Sequence, residues 1–152
     1  MPDLFVSWSD YHRTIEQLAA QIHRSAWRFD YIACVGRGGL RVGDILARLF
    51  KKPYAVIVGG AVGAQVATVE ALHGNVLLVD DLIDSATLQL RAQQLRAAYA
   101  QIGELRTAVL WRKGAQAAPT DYCVRQIEAE CWLHQPFEPY DLISLESLAE
   151  RS

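Results

Sequence analysis

Val76-Leu77-Leu78-Val79-Asp80-Asp81-Leu82-Ile83-Asp84-Ser85-Ala86-Thr87 is the stretch whose reading decides the fold. Val76–Val79 is apolar without alternation, which describes a strand covered on both faces, as in a parallel sheet. Two adjacent carboxylates end that strand, a third follows, and two hydroxyls come next. Neighbouring residues of a strand point to opposite sides, so Asp80 and Asp81 need different partners. Carboxylates accept hydrogen bonds from vicinal hydroxyls and bind hard cations, and a hydroxyl-rich loop opening a helix can hold a phosphate. A plainer reading stays open, in which Asp84 or Ser85 caps the next helix and the other acids are solvated.

Outward from this stretch, helices and strands alternate. Downstream, Leu88–Ile102 has helical spacing through Leu88, Leu95, Tyr99 and Ile102 and stops near Gly103; Leu105–Trp111 is a further strand. Asp121–Val124 and Cys131–Leu133 read as short strands and Leu142–Ala149 as a terminal helix. Upstream, Gly59–Gly74 is small, polar and glycine-marked and reads as a loop, while Tyr54–Val58 and Tyr31–Val35 are buried strands. Val42–Phe50 is helical, and a first helix follows a cap at Ser9 with Tyr11, Ile15, Leu18, Ala19 and Ile22 on one face. Such alternation implies one α/β domain over residues 1–152, with a mainly parallel sheet flanked by helices on both faces. Ligands of open α/β sheets sit beyond the carboxyl ends of the strands. Both unusual loops, Gly36–Leu40 and Asp80–Thr87, lie there.

The earlier loop, Val35-Gly36-Arg37-Gly38-Gly39-Leu40, joins a strand to a helix. Glycines allow a sharp turn that exposes backbone N–H groups, the helix start adds a positive dipole, and Arg37 adds a fork of donors. The combination suits phosphate or pyrophosphate, although a plain connecting turn is the alternative. It is a poor dinucleotide fingerprint, because Arg41 stands where the third glycine belongs.

Composition narrows the partners. A formal net charge of -2 does not suggest nucleic acid. Cys34, Cys123 and Cys131 form neither a zinc pattern nor a disulfide framework, and Cys34 sits in an apolar run. Acidic Asp3 near the start is unlike a signal peptide, and Pro53–Val69 falls short of a membrane span. The expectation is a soluble, cytoplasmic protein from a reducing compartment, with no membrane partner.

Val79–Thr87 resembles the phosphoribosyl-diphosphate signature of type I phosphoribosyltransferases. Arg37–Leu40 resembles the pyrophosphate loop of their bacterial xanthine-guanine, or 6-oxopurine, branch. Phe5–Trp8 and Trp132–Glu138 resemble that branch's N-terminal start and purine-contacting segment. The resemblance implies transfer of ribose 5-phosphate from phosphoribosyl diphosphate to a purine-type base, with release of pyrophosphate. It implies Mg2+, a small shortened hood and, by analogy, a homo-oligomer. Arg37, Gly38 and Gly39 would hold pyrophosphate, with a cis peptide at Gly36–Arg37. Asp80 and Asp81 would meet the ribose hydroxyls directly or through the metal, and Glu138 would lie near it. Asp84 would be the general acid/base, and Ser85, Ala86 and Thr87 would cradle the 5′-phosphate. Lys113 would donate to an exocyclic oxygen, Trp132 would stack on the base, and the Leu133 backbone would read its edge. Apart from the resemblance, Lys113 reads as a solvated strand end and Trp132 as a core or interface aromatic. His134 reads as a surface side chain.

Three departures from the family pattern bear on activity. Ala86 replaces a glycine, which strains the loop if that position has positive φ. Leu88 replaces the final threonine, unless Thr87 serves after a one-residue slip, and Gly59–Gly74 is short for a flap and lacks its Ser-Tyr pair. They motivate an alternative on the same fold: a catalytically weak or inactive regulatory protein that binds nucleotides or phosphoribosyl diphosphate.

Overall fold

The computed structural model describes residues 3–59, 64–67 and 72–152. The elements run β1 (Asp3–Phe5), α1 (Trp8–Arg24), β2 (Tyr31–Val35), α2 (Gly39–Phe50), β3 (Tyr54–Gly59), β4 (Ala64–Ala67), β5 (Gly74–Ile83), α3 (Thr87–Ala98), β6 (Ile102–Lys113), β7 (Tyr122–Ile127), β8 (Trp132–His134), α4 (Pro139–Leu142) and α5 (Leu145–Arg151). The main sheet has the order β4-β3-β2-β5-β6-β7. Five of its strands are parallel, and β4 joins the edge antiparallel to β3.

Apolar runs without alternation are buried on both sides, as a parallel sheet requires. Ile32, Cys34, Leu77, Val79, Ala108 and Leu110 face a core closed by α1 and α2. Tyr31, Ala33, Val76, Leu78 and Val109 face a second core closed by α3 through Leu88 and Leu95. The expected α/β architecture is present.

The differences from expectation have local causes. Helix α1 is capped by Ser7 rather than Ser9: Asp10 N–H donates to Ser7 Oγ at 3.0 Å, and Ser7 N–H donates to the Asp10 carboxylate, completing a capping box. Helix α3 ends at Ala98, because Ile102 opens β6 and pairs with the Gly74 region of β5. Strand β5 continues four residues past Val79, held by the long β6, so Asp80 and Asp81 are strand residues and the loop begins at Asp84. Within the stretch read as a loop, β4 forms against β3, while residues 60–63 and 68–71 lie outside the described residues. Strand β8 leaves the main sheet to pair in parallel with β1, which the sequence reading left unassigned. The C-terminal helix is two short helices, α4 and α5, separated by Ile143 and the N-cap Ser144.

Candidate anion and sugar site

The glycine turn and the acid pair, far apart in sequence, touch. A Cβ on Gly38 would strike Asp81 Oδ1 and lie 3.0 Å from Asp80 Oδ1. One on Gly39 would lie 2.5 Å from the Val79 carbonyl oxygen. Only glycine lets the start of α2 come this close to the end of β5. The turn is anchored by Gly36 N–H donating to the Ile57 carbonyl at 3.0 Å and by Leu40 N–H donating to the Arg37 carbonyl. The Gly36–Arg37 peptide is cis.

Asp80 and Asp81 are half-buried. Asp80 Oδ1 accepts from Asp81 N–H at 2.8 Å, and Asp81 Oδ1 accepts from Leu82 N–H at 2.7 Å. The other Asp81 oxygen accepts from Gln135 Nε2 at 2.9 Å. Burial first, and the neighbouring Asp81 charge second, raise Asp80 well above the carboxylate range, against a weaker pull from Arg91. The same acids reach Tyr11. Burial and then Asp81 push its phenol up, with Arg41 opposing.

Past the strand, Asp84 is exposed. Ala86, at φ −93°, sits outside the left-handed region, so the alanine is unstrained and the expected penalty for replacing glycine does not arise. Ala86 is the N-cap of α3 and supplies no side-chain acceptor to its first amides, so neither Asp84 nor Ser85 is the cap residue. Ser85 Oγ accepts from Thr87 N–H at 3.3 Å and shares a 2.7 Å hydrogen bond with Thr87 Oγ1. Ser85, Ala86 and Thr87 line one side of a cleft of about 430 Å³. Leu88 is 2% exposed and faces the core, so the hydroxyl series ends at Thr87.

The loop after β6 is tied to this segment. Arg112 donates to the carbonyls of Ala117 and Ala118, and Ala118 N–H donates to the Ser85 carbonyl. Lys113 closes β6, half-buried, at the carboxyl end of the sheet.

The β1–β8 ribbon presents the remaining expected residues. Trp132 is 63% exposed, and its ring stacks on His134 with centroids 5.8 Å apart. Leu133 is buried and pairs with Leu4. His134 is more than a surface side chain: Phe5 stacks on it at 4.4 Å, and its two nitrogens meet Asp3 and Glu138 at 3.2 Å each. Glu138 is thus engaged with His134, and among the described residues no group of three acids, histidines or cysteines forms a metal cluster.

Four residues escaped the sequence reading. Gln135 follows Leu133 at the two-residue spacing that puts both inward, a readable signal. In the sequence Tyr11 shows only as part of the apolar face of α1. Arg41 and Arg112 carry no local motif and depend on long-range packing.

The sequence matches the phosphoribosyl transferase domain family over residues 7–141. No curated protein sequence matches it. Among solved structures, a purine phosphoribosyltransferase from Pyrococcus horikoshii is 25% identical, with a TM-score of 0.74, covering 91% of this chain and 95% of that one. A xanthine-guanine-hypoxanthine phosphoribosyltransferase from Helicobacter pylori is 17% identical at TM-score 0.72, covering 98% and 99%. A hypothetical protein from Neisseria gonorrhoeae with bound ppGpp is 20% identical at TM-score 0.67, covering 99% and 96%.

Proposed function

The chain belongs to the phosphoribosyl transferase family, and from that membership we propose that it transfers ribose 5-phosphate from phosphoribosyl diphosphate to a purine-type base, releasing pyrophosphate. The observation that carries the reading is the contact between the glycine turn and the acid pair. It sets an anion-binding backbone beside carboxylates suited to sugar hydroxyls, which match the diphosphate and the adjoining ribose of that substrate.

Arg37 and the amides of Gly38 and Gly39 bind the diphosphate, and Asp80 and Asp81 orient the ribose hydroxyls. Ser85, Thr87 and the uncapped start of α3 receive the 5′-phosphate, with Ala86 as a turn residue of relaxed geometry. Asp84, exposed beside them, exchanges a proton with the base nitrogen. Lys113 and Trp132 supply a donor and a stacking face for the base, and the Leu133 backbone meets its edge. Glu138 acts by holding His134.

The acid pair fits Mg2+. Two hard carboxylates lie close together, and at Asp80 burial and the neighbouring Asp81 charge outweigh the nearby arginine. Mg2+ takes one or two carboxylates and completes its shell with water and substrate phosphates, so no third acid is needed. When bound, the ion neutralises charge on the departing diphosphate.

The test is incubation with phosphoribosyl diphosphate, Mg2+ and a panel of purines. Pyrophosphate release with at least one base is expected; silence with every base ends the reading. A second reading, a regulatory nucleotide-binding protein, is favoured by the buried Leu88 and by the fold shared with a ppGpp-bound protein. Tight nucleotide binding without turnover would select it.

A further inference from the structure

Arg41 lies four residues beyond Arg37, in the first turns of α2. Its guanidinium carbon is 4.9 Å from the centroid of the Phe137 ring and 5.7 Å from that of Trp8. The two rings are 6.4 Å apart and tilted by 54°. Among the described residues, no carboxylate makes a salt bridge with Arg41. Arg41, Arg37, Gly38, Phe137, Tyr140 and Asp141 line a cleft of about 320 Å³.

Aromatic rings hold a guanidinium by its faces without neutralising it, so its N–H edges stay available. A cation fixed in this way loses little side-chain freedom when an anion arrives. Two guanidinia sharing a cleft beside an anion-binding glycine turn favour a multiply charged anion over a single phosphate. Asp141 on the same wall repels a bare anion and so favours one that arrives with its own counter-cation.

We propose that Arg41 is a second diphosphate-binding residue, acting with Arg37 on the metal-complexed diphosphate of the substrate. The proposal rests on the phosphoribosyl-transfer reading above. It adds to the glycine turn a residue outside that motif, positioned by Trp8 at the start of α1 and Phe137 after β8.

Calorimetry with Mg2+ and two probes, inorganic pyrophosphate and ribose 5-phosphate, tests it on the full chain. A charge-assisted fork lost from a diphosphate predicts that Arg41→Ala weakens pyrophosphate binding by roughly tenfold or more. Ribose 5-phosphate affinity should stay within about twofold, as the same loss does not touch a phosphate held elsewhere. Arg41→Lys, which keeps the charge without the planar fork, should fall between. Far-UV circular dichroism and the thermal midpoint of each variant show that it is folded. Unchanged pyrophosphate affinity in Arg41→Ala, or equal losses for both probes, overturns the proposal. Wild-type protein that binds ribose 5-phosphate but not pyrophosphate overturns this proposal alone; wild-type protein that binds neither brings down the transfer reading with it.

Discussion

Asp81 is held from three directions: its own strand supplies the Leu82 amide, Gln135 reaches across from beyond β8, and Gly38 presses against it without a side chain. Gln135 is 9% exposed, and its Oε1 is buried with no partner among the described residues, so its place is justified by the donor it gives to Asp81. Gln135→Leu should therefore weaken Mg2+-phosphoribosyl diphosphate binding by roughly tenfold, the value of one hydrogen bond to a charged acceptor. Gln135→Glu should weaken it further by placing a second carboxylate against the first. Calorimetry reads both, and equal affinities in wild type and Gln135→Leu would refute the role. Asp80 carries the opposite tension, an acid whose charged form is disfavoured by burial and by the neighbouring Asp81 carboxylate. In metal-free protein, Asp80→Asn should raise stability by about 1–2 kcal/mol, since a neutral isostere removes the repulsion and can still accept from the Asp81 amide. Urea unfolding in a chelator measures it. A destabilised Asn variant would mean that the pair is already compensated. These acids were readable from sequence because a buried strand seldom ends in two carboxylates without a task. Gln135 and Arg41 were not, because each gains its meaning from a partner distant in the chain.

At the level of elements, the close seating of α2 against β2 and β5 decides where the glycine turn sits. A Cβ on Gly43 would collide with Cys34 Sγ. Gly43→Ala should thus destabilise by about 1–3 kcal/mol, as overpacking a filled interface does, despite the better helix propensity of alanine. A thermal midpoint equal to wild type would show that α2 can shift outward. At the other helix, Ser7→Ala removes the acceptor for the Asp10 amide and should cost about 1 kcal/mol, measured the same way. Tyr31–Val35 was read from sequence with its bounds intact because both faces of that strand are apolar. Strand β5 was read short, since two charged residues look like a strand end when the long partner β6 is not in view. Strand β1, three residues long, has too few side chains for any periodicity to register.

Across the whole molecule, two apolar cores lie on the two faces of one sheet, so neither can open without the other losing its wall. Cys34 sits in the first core, 1% exposed, and burial pushes its thiol up to about 12. Raising the pH to 9 should hardly speed its alkylation, whereas half-exposed Cys131 should label readily. Cys34 labelling in urea should follow global unfolding, read by mass spectrometry; early labelling would reveal independent opening of the α1–α2 side. The same burial opposes folding only as the pH climbs from the ordinary thiol value of 9.0 towards that raised value. The overall architecture was legible from alternation alone, but the ribbon was not, because β1 and β8 lie near opposite ends of the described chain. That ribbon orders events at the ribosome. Asp3–Phe5 stays unpaired until Trp132–His134 follows, by which point every strand of the main sheet has been synthesised, so the wall that carries Trp132 closes only after those strands are made.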